Sequence, residues 1–170
     1  IFFDMHTIIL TEPKGYSPKA VSILKKLGPV YTWQKAVSKP KILCSADILV
    51  VKLGMQISKK VLERLPDLKI IATSTTGLNH IDLEEAESRG IRIVSLRGEV
   101  KFLKTITPTA EETIGLMIAL MRKLPWGFEA VKRGEWTRDK FYGNELYGRT
   151  LGIIGFGRLG DTYHQDIHLI

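Results

Sequence analysis

Short apolar runs alternate with segments of helical periodicity through most of the chain. Thr7 to Leu10 is the first run. Ser17-Pro18 then supplies an N-cap with Pro at the first helical position, and Ala20, Val21, Ile23, Leu24 and Leu27 follow at helical spacing until Gly28-Pro29 stops the helix. Ile48 to Val51 reads as a buried strand, Ser58 to Leu65 as a helix closed by Pro66, and Leu68 to Ala72 as another strand. Asp82 opens a further helix with Glu85 in capping-box spacing, and Gly90 closes it before the strand Ile91 to Ser95. Short apolar strands alternating with helices predict right-handed βαβ crossovers and a mostly parallel sheet covered on both faces, so the fold class is α/β. In such sheets the loops at the strand C-terminal ends are free to bind ligands.

The alternation lapses from Leu96 to Thr107, where the mixed stretch Arg97-Gly98-Glu99-Val100-Lys101 marks a domain boundary; residues 1–104 and 105–170 are expected to form separate bodies. Thr107-Pro108-Thr109 leads into a helix with Glu111 and Glu112 near its positive end. Ile114 to Leu120 is apolar on all sides, which predicts a helix buried between two bodies. Thr150 to Ile154 reads as another buried strand.

Composition removes several classes. The 170 residues are 44% hydrophobic and 25% charged, which excludes disorder and collagen-like repeats. Cys44 is the only cysteine, so no intrachain disulfide forms, and a reducing, cytoplasmic setting is expected. The first ten residues carry Asp4 and His6 without a basic lead, unlike a signal peptide, and the apolar run Thr113 to Met121 is too short to span a bilayer. A net charge of +7 admits nucleic acid, anionic substrates and phosphate cofactors. Its lysines fall in scattered pairs such as Lys25-Lys26 and Lys59-Lys60, with no basic stripe, so no nucleic-acid partner is expected. Trp126, Phe128 and Trp136 suit core or subunit-interface packing better than base stacking. His164 and His168 have the i, i+4 spacing of metal ligands, but Gln165 stands where a zincin has its acid and no third ligand is apparent; no metal is expected.

The sharpest chemical signal is Gly155-Phe156-Gly157-Arg158-Leu159-Gly160. After a strand, this GxGxxG spacing gives a tight turn at Gly155, close approach of a pyrophosphate at Gly157, and helix-on-strand packing at Gly160. The phosphate would sit at the helix N-terminus. A glycine-rich turn without a ligand is the competing reading. The ribose carboxylate expected about 20 residues further on has no counterpart, since Asp161 and Asp166 lie too near the glycines; the motif implies a dinucleotide but does not choose between NAD and NADP.

Together, LKIIATSTTGLNHID over Leu68 to Asp82, TAEETIG over Thr109 to Gly115, Gly134-Glu135-Trp136, and GNELYGRTLGIIGFGRLG over Gly143 to Gly160 resemble the D-isomer-specific 2-hydroxyacid dehydrogenases, in the family's order. The phosphoglycerate dehydrogenase branch is the nearest likeness. The resemblance implies a flavodoxin-like substrate domain followed by the start of a Rossmann cofactor domain, with hydride passing between nicotinamide and C2 of a small 2-hydroxy or 2-oxo acid. It places Thr76, Gly77 and Leu78 on the loop whose backbone N–H groups face the substrate carboxylate, with Thr76 also near the cofactor. A plain turn capped by Asp82 is the alternative there. Asn79-His80 replaces the family's usual Asp-Asn pair. Lys52 stands where phosphoglycerate-type relatives often carry a substrate-binding arginine; it keeps the charge but not the bidentate fork, and a solvated strand-end lysine is the alternative. Thr113, Gly155, Gly157, Arg158, Leu159 and Gly160 match cofactor-binding positions, while Glu112 stands where many members carry His.

The resemblance also implies a substrate-binding Arg and a Glu-oriented His, the general acid/base, beyond the glycine loop; neither has a counterpart, so no catalytic residue is assigned. The closing residues 161–170 depart from the apolar helix usual in the family, and the chain is expected to be a truncated, inactive form. A homodimer is expected, as the family commonly pairs through the region of Ile114 to Trp136. The competing function is a non-catalytic, NAD-responsive protein-binding module of the same fold, like the corepressors that share it.

Overall fold

A computed structural model describes residues 5–160. They form two compact units that divide between Glu99 and Val100.

The first unit is built on β1 (Ile8–Leu10), β2 (Val30–Thr32), β3 (Ile48–Val51), β4 (Ile70–Thr73) and β5 (Arg92–Val94). All pairings are parallel, and the order is β2-β1-β3-β4-β5. This is the flavodoxin-like doubly wound order, with its reversal between β1 and β3. The connecting helices are α1 (Pro18–Leu27), α2 (Trp33–Val37), α3 (Pro40–Cys44), α4 (Lys59–Leu62) and α5 (Leu83–Ser88).

Burial on both sheet faces explains the unbroken apolar runs. Ile9, Leu49, Val51 and Ile71 point into one core with Leu62, Leu65 and Ala86, while Ile8, Leu10, Ile48 and Val50 point into the other. Every residue of β3 is buried, as a central parallel strand requires.

The caps follow from local chemistry. Ser17 Oγ accepts from Ala20 N–H at 3.1 Å, with Pro18 at the first helical position. Asp82 Oδ1 accepts from Glu85 N–H at 3.1 Å, but the reciprocal half of the capping box does not form. The Asp82 N–H already bonds the Ile57 carbonyl at 2.9 Å, so Glu85 turns instead to Lys59 Nζ at 3.1 Å. The helix expected over Ser58 to Leu65 is shorter, α4 ending at Leu62, and turns carry Leu65 into the core.

In the second unit α6 (Val100–Leu103) leads to α7 (Pro108–Met121) and α8 (Leu124–Lys132). The expectation that Ile114 to Leu120 is buried is not met: Leu116 and Leu120 are 56% and 59% exposed. The helix carries apolar residues all round, yet the described residues of its unit cover only part of it. Nor do Trp126, Phe128 and Trp136 form core; they are 53%, 66% and 92% exposed. No described helix is long and apolar enough to cross a membrane.

Two substitutions test this packing. Leu49→Ala empties a fully buried position in the central strand and should lower unfolding free energy by roughly 2–5 kcal/mol. Asp82→Ala should cost about 1 kcal/mol through the lost cap. Urea unfolding measures both.

Candidate functional site

Parallel pairing brings three loops to one edge of the sheet. Leu10 of β1 is level with Val50 of β3, and Val51 is level with Thr73 of β4. The segments that follow, from residues 11, 52 and 74, therefore leave side by side, the first two flanking the reversal of strand order, where doubly wound sheets bind ligands, and the third next to it.

On the β1/β3 side the loop is closed by Glu12, which the sequence reading did not single out. Its carboxylate accepts from Lys52 N–H at 3.1 Å and from Gly54 N–H at 3.0 Å. A Cβ on residue 54 would meet that carboxylate, so a side chain there would push the Glu12 side chain aside. Lys52 Nζ donates to the Lys14 carbonyl at 2.8 Å and lies 4.3 Å from the centre of the Tyr16 ring. The ammonium is thus folded back on the β1 loop, in a cation–π contact, at the mouth of the edge. Burial, then the negative charge of Glu12, raise the Tyr16 phenol above its ordinary pKa of 10.0.

The β4 loop is arranged differently. Thr76 and Gly77 are exposed, and Leu78 is partly buried against the core. Among the described residues the backbone N–H groups of Thr76, Gly77 and Leu78 have no acceptor. Three successive free donors at a strand end can receive an anion. Gly77 leaves open space: a Cβ there would meet nothing within 4 Å.

The Asn79-His80 pair closes the loop from beneath. The His80 carbonyl accepts from Ile57 N–H at 2.7 Å and the Asn79 carbonyl from Gln56 Nε2 at 3.2 Å. Ile57 and Ile81 form an isolated parallel bridge, tying the β3 and β4 loops together. His80 itself is 6% exposed, so its ring lies under the loop. His6 bonds Asp47 at 2.9 Å and precedes β1, at the opposite edge of the sheet.

The glycine loop lies in the second unit. Gly155 has φ +85°, a conformation L side chains rarely adopt, and a Cβ on Gly157 would meet nothing within 4 Å. A Cβ on Gly160 would fall 3.3 Å from the Phe156 ring and 3.6 Å from Ile153 Cγ2, contacts within the loop itself and not against a paired strand. These features fit a dinucleotide phosphate at Gly157. The buried strand expected over Thr150 to Ile154 is absent: the segment is unpaired, and Leu151, Ile153 and Ile154 are 46%, 37% and 104% exposed. A strand needs a hydrogen-bonded neighbour, and the described second unit contains none. The Arg158 guanidinium donates to the Leu103 and Ile106 carbonyls, both at 3.2 Å, so its side chain anchors the loop within its own unit. Leu159 follows it in the first helical turn. Thr113 Oγ1 bonds back to the Thr109 carbonyl at 2.9 Å within α7.

Asp161, Asp166, His164 and His168 lie outside the described residues. Among the described residues no cluster of three potential metal ligands occurs. A hollow of about 1150 Å³ is lined by Ile118, Leu124, Phe128, Trp136 and Phe141.

An all-parallel sheet in this order defines a doubly wound α/β protein, with the open amides of the β4 loop one strand away from the reversal. The sequence profile of the D-isomer specific 2-hydroxyacid dehydrogenase catalytic domain matches residues 8–100, and that of the same family's NAD binding domain matches residues 114–168. The chain belongs to the D-isomer-specific 2-hydroxyacid dehydrogenase family. It is 37% identical to the D-3-phosphoglycerate dehydrogenase of Methanocaldococcus jannaschii over 92% of its own length, but spans only 29% of that protein. Identity to the hydroxypyruvate reductase of Thermotoga maritima is 35%, covering 71% of this chain and 38% of that one. The D-lactate dehydrogenase of Aquifex aeolicus, solved with NAD and lactic acid, superposes with a TM-score of 0.75 at 26% identity, over 94% of this chain and 47% of that one.

Tyr16 offers a direct probe of this edge. Because its folded pKa lies above the unfolded one, its contribution to stability is full below pH 10.0 and is lost as pH rises toward the folded value. In an absorbance titration, Tyr16→Phe should remove a late tyrosinate step. Glu12→Gln should move that step to lower pH, yet leave it above the free-tyrosine value, since burial is the larger cause.

Proposed function

We propose that this chain carries the substrate-binding portion and the opening of the cofactor domain of an NAD-dependent 2-hydroxyacid dehydrogenase, with NADP use not excluded. The observation that carries the proposal is the run of open amides at Thr76, Gly77 and Leu78 in a member of this family. In this reading those N–H groups hold the substrate carboxylate, and Lys52 offers positive charge at the same edge. Gly155, Gly157, Arg158, Leu159 and Gly160 hold the dinucleotide phosphates through backbone, joined by Thr113 of the same unit. The bound nicotinamide supplies or takes the hydride at C2.

The substrate is a small 2-hydroxy or 2-oxo acid, in line with the relatives named for phosphoglycerate, hydroxypyruvate and glyoxylate. No described group fits the acid/base role. His80 is buried beneath the loop, and His6 is paired with Asp47 at the far edge. A positioned acid/base is worth about 10² to 10⁴ in rate. We therefore infer that the 170-residue chain by itself does not turn over substrate. No separate observation favours the non-catalytic binding module.

Purified chain assayed with NADH and NADPH against glyoxylate, pyruvate and hydroxypyruvate should show no turnover. Activity that scales with protein and vanishes in Gly157→Trp would overturn this reading. The exposed faces of Leu116, Leu120, Trp126 and Phe128 support a homodimer. Sedimentation should give at least twice the 19.2 kDa chain mass at micromolar concentration, and a persistent monomer would contradict it.

A further inference from the structure

Beneath the β4 loop runs a chain of hydroxyl groups. The Thr75 hydroxyl donates to the Gly77 carbonyl at 2.7 Å, and Thr75 Oγ1 lies 2.9 Å from Thr73 Oγ1. His80 Nε2 lies 3.5 Å from Thr73 Oγ1, and both Thr73 and His80 are 6% exposed. The donor directions follow from counting protons. A hydroxyl has one proton, and that of Thr75 is committed to a carbonyl that can only accept. Thr73 must then donate to Thr75, which leaves Thr73 Oγ1 as acceptor for the Nε2–H of His80. This tautomer also leaves the buried, unpartnered Nδ1 of His80 as a lone pair, not a stranded N–H.

The end of the chain controls a peptide plane. In a trans peptide the C=O and the following N–H point in opposite directions, and the described residues contain no cis bond. Holding the Gly77 carbonyl toward Thr75 therefore directs the Leu78 N–H to the other side. Packing does not hold that plane at its glycine end, since a Cβ on Gly77 would meet nothing within 4 Å.

We propose that Thr75 is a positioning residue for the substrate carboxylate, its hydroxyl turning the Leu78 N–H toward the bound anion. The proposal rests on the reading of residues 76–78 as the carboxylate loop. Thr75 touches no substrate in this account; it acts through the peptide it holds. The relay from His80 through Thr73 fixes the direction of its proton, and β4, paired with Val51 at Thr73, fixes its base.

The test is a titration of the isotopically labelled 170-residue chain with pyruvate, followed through the backbone amide signals of Thr76, Gly77 and Leu78. Methyl pyruvate, which lacks the carboxylate, is the control. The wild-type chain should show a saturable shift at Leu78 with pyruvate and none with the ester. Thr75→Val keeps the shape and removes the hydroxyl; it should weaken binding roughly five-fold, as expected for one lost hydrogen bond. Thr75→Ser should bind within about two-fold of wild type, because the donor is retained. Should the valine variant fail to fold, Thr75→Ala on this half-exposed side chain gives the same comparison.

Undiminished binding in the variant lacking the hydroxyl overturns the role of Thr75 and leaves the carboxylate loop standing. Equal weakening in the serine variant also overturns it, since a structural need for the methyl group would then explain both. A wild-type chain with no pyruvate shift at residues 76–78 overturns the loop reading and this inference together.

Discussion

The parallel pairing of β3 with β4 is the constraint on which the rest of the site depends. Val51 stands level with Thr73, so the two strands end together and their loops emerge side by side. One residue of slip would exchange the two faces, placing Leu49 and Val51 where Ile48 and Val50 now lie. Because both cores are filled, the register has no easy alternative. The bridge between Ile57 and Ile81 repeats the pairing beyond the loops and fixes their far ends. What lies between is short, with few ways to arrange its backbone donors.

Much of the first unit was legible because buried parallel strands leave an unmistakable trace. The runs at Ile8, Ile48, Ile70 and Arg92 fall within the expected strands or their edges, and Ser17 and Asp82 cap as their positions predict. The elements that escaped notice are those with weak local signals. The strand at Val30–Thr32 is three partly buried residues at the sheet edge, and the helices Trp33–Val37 and Pro40–Cys44 are too short to display a period. In Leu124–Lys132, Pro125 and Gly127 look like breakers, although Pro125 occupies the first turn, where proline is tolerated.

The candidate site divides in the same way. Gly77 and Leu78 stood out because their segment carries a familiar order of residues. Glu12 did not, because its partners at Lys52 and Gly54 lie forty and forty-two positions away and meet it only through the β1/β3 pairing. Thr75 reads as one polar residue in a threonine-rich stretch until its bond to Gly77 is seen. The second unit shows the opposite failure, a strong local signal without its partner. Leu151 to Ile154 is an excellent strand sequence, but pairing is a property of two segments, and the described residues provide one.

The two sides of this edge also differ in which backbone donors are taken. At β1/β3 the Lys52 and Gly54 amides are already taken by a carboxylate of the protein itself, and the negative charge of Glu12 stands close enough to raise the Tyr16 phenol. A second carboxylate brought to those amides would displace a bound one and face its repulsion. At β4 the amides of Thr76, Gly77 and Leu78 are open, and the residues beneath them are hydroxyls and an imidazole without formal negative charge. Glu12 thus does two things at once. It satisfies the Lys52 and Gly54 donors, and through its hold on the Lys52 backbone it keeps the β3 loop in place beside the open one.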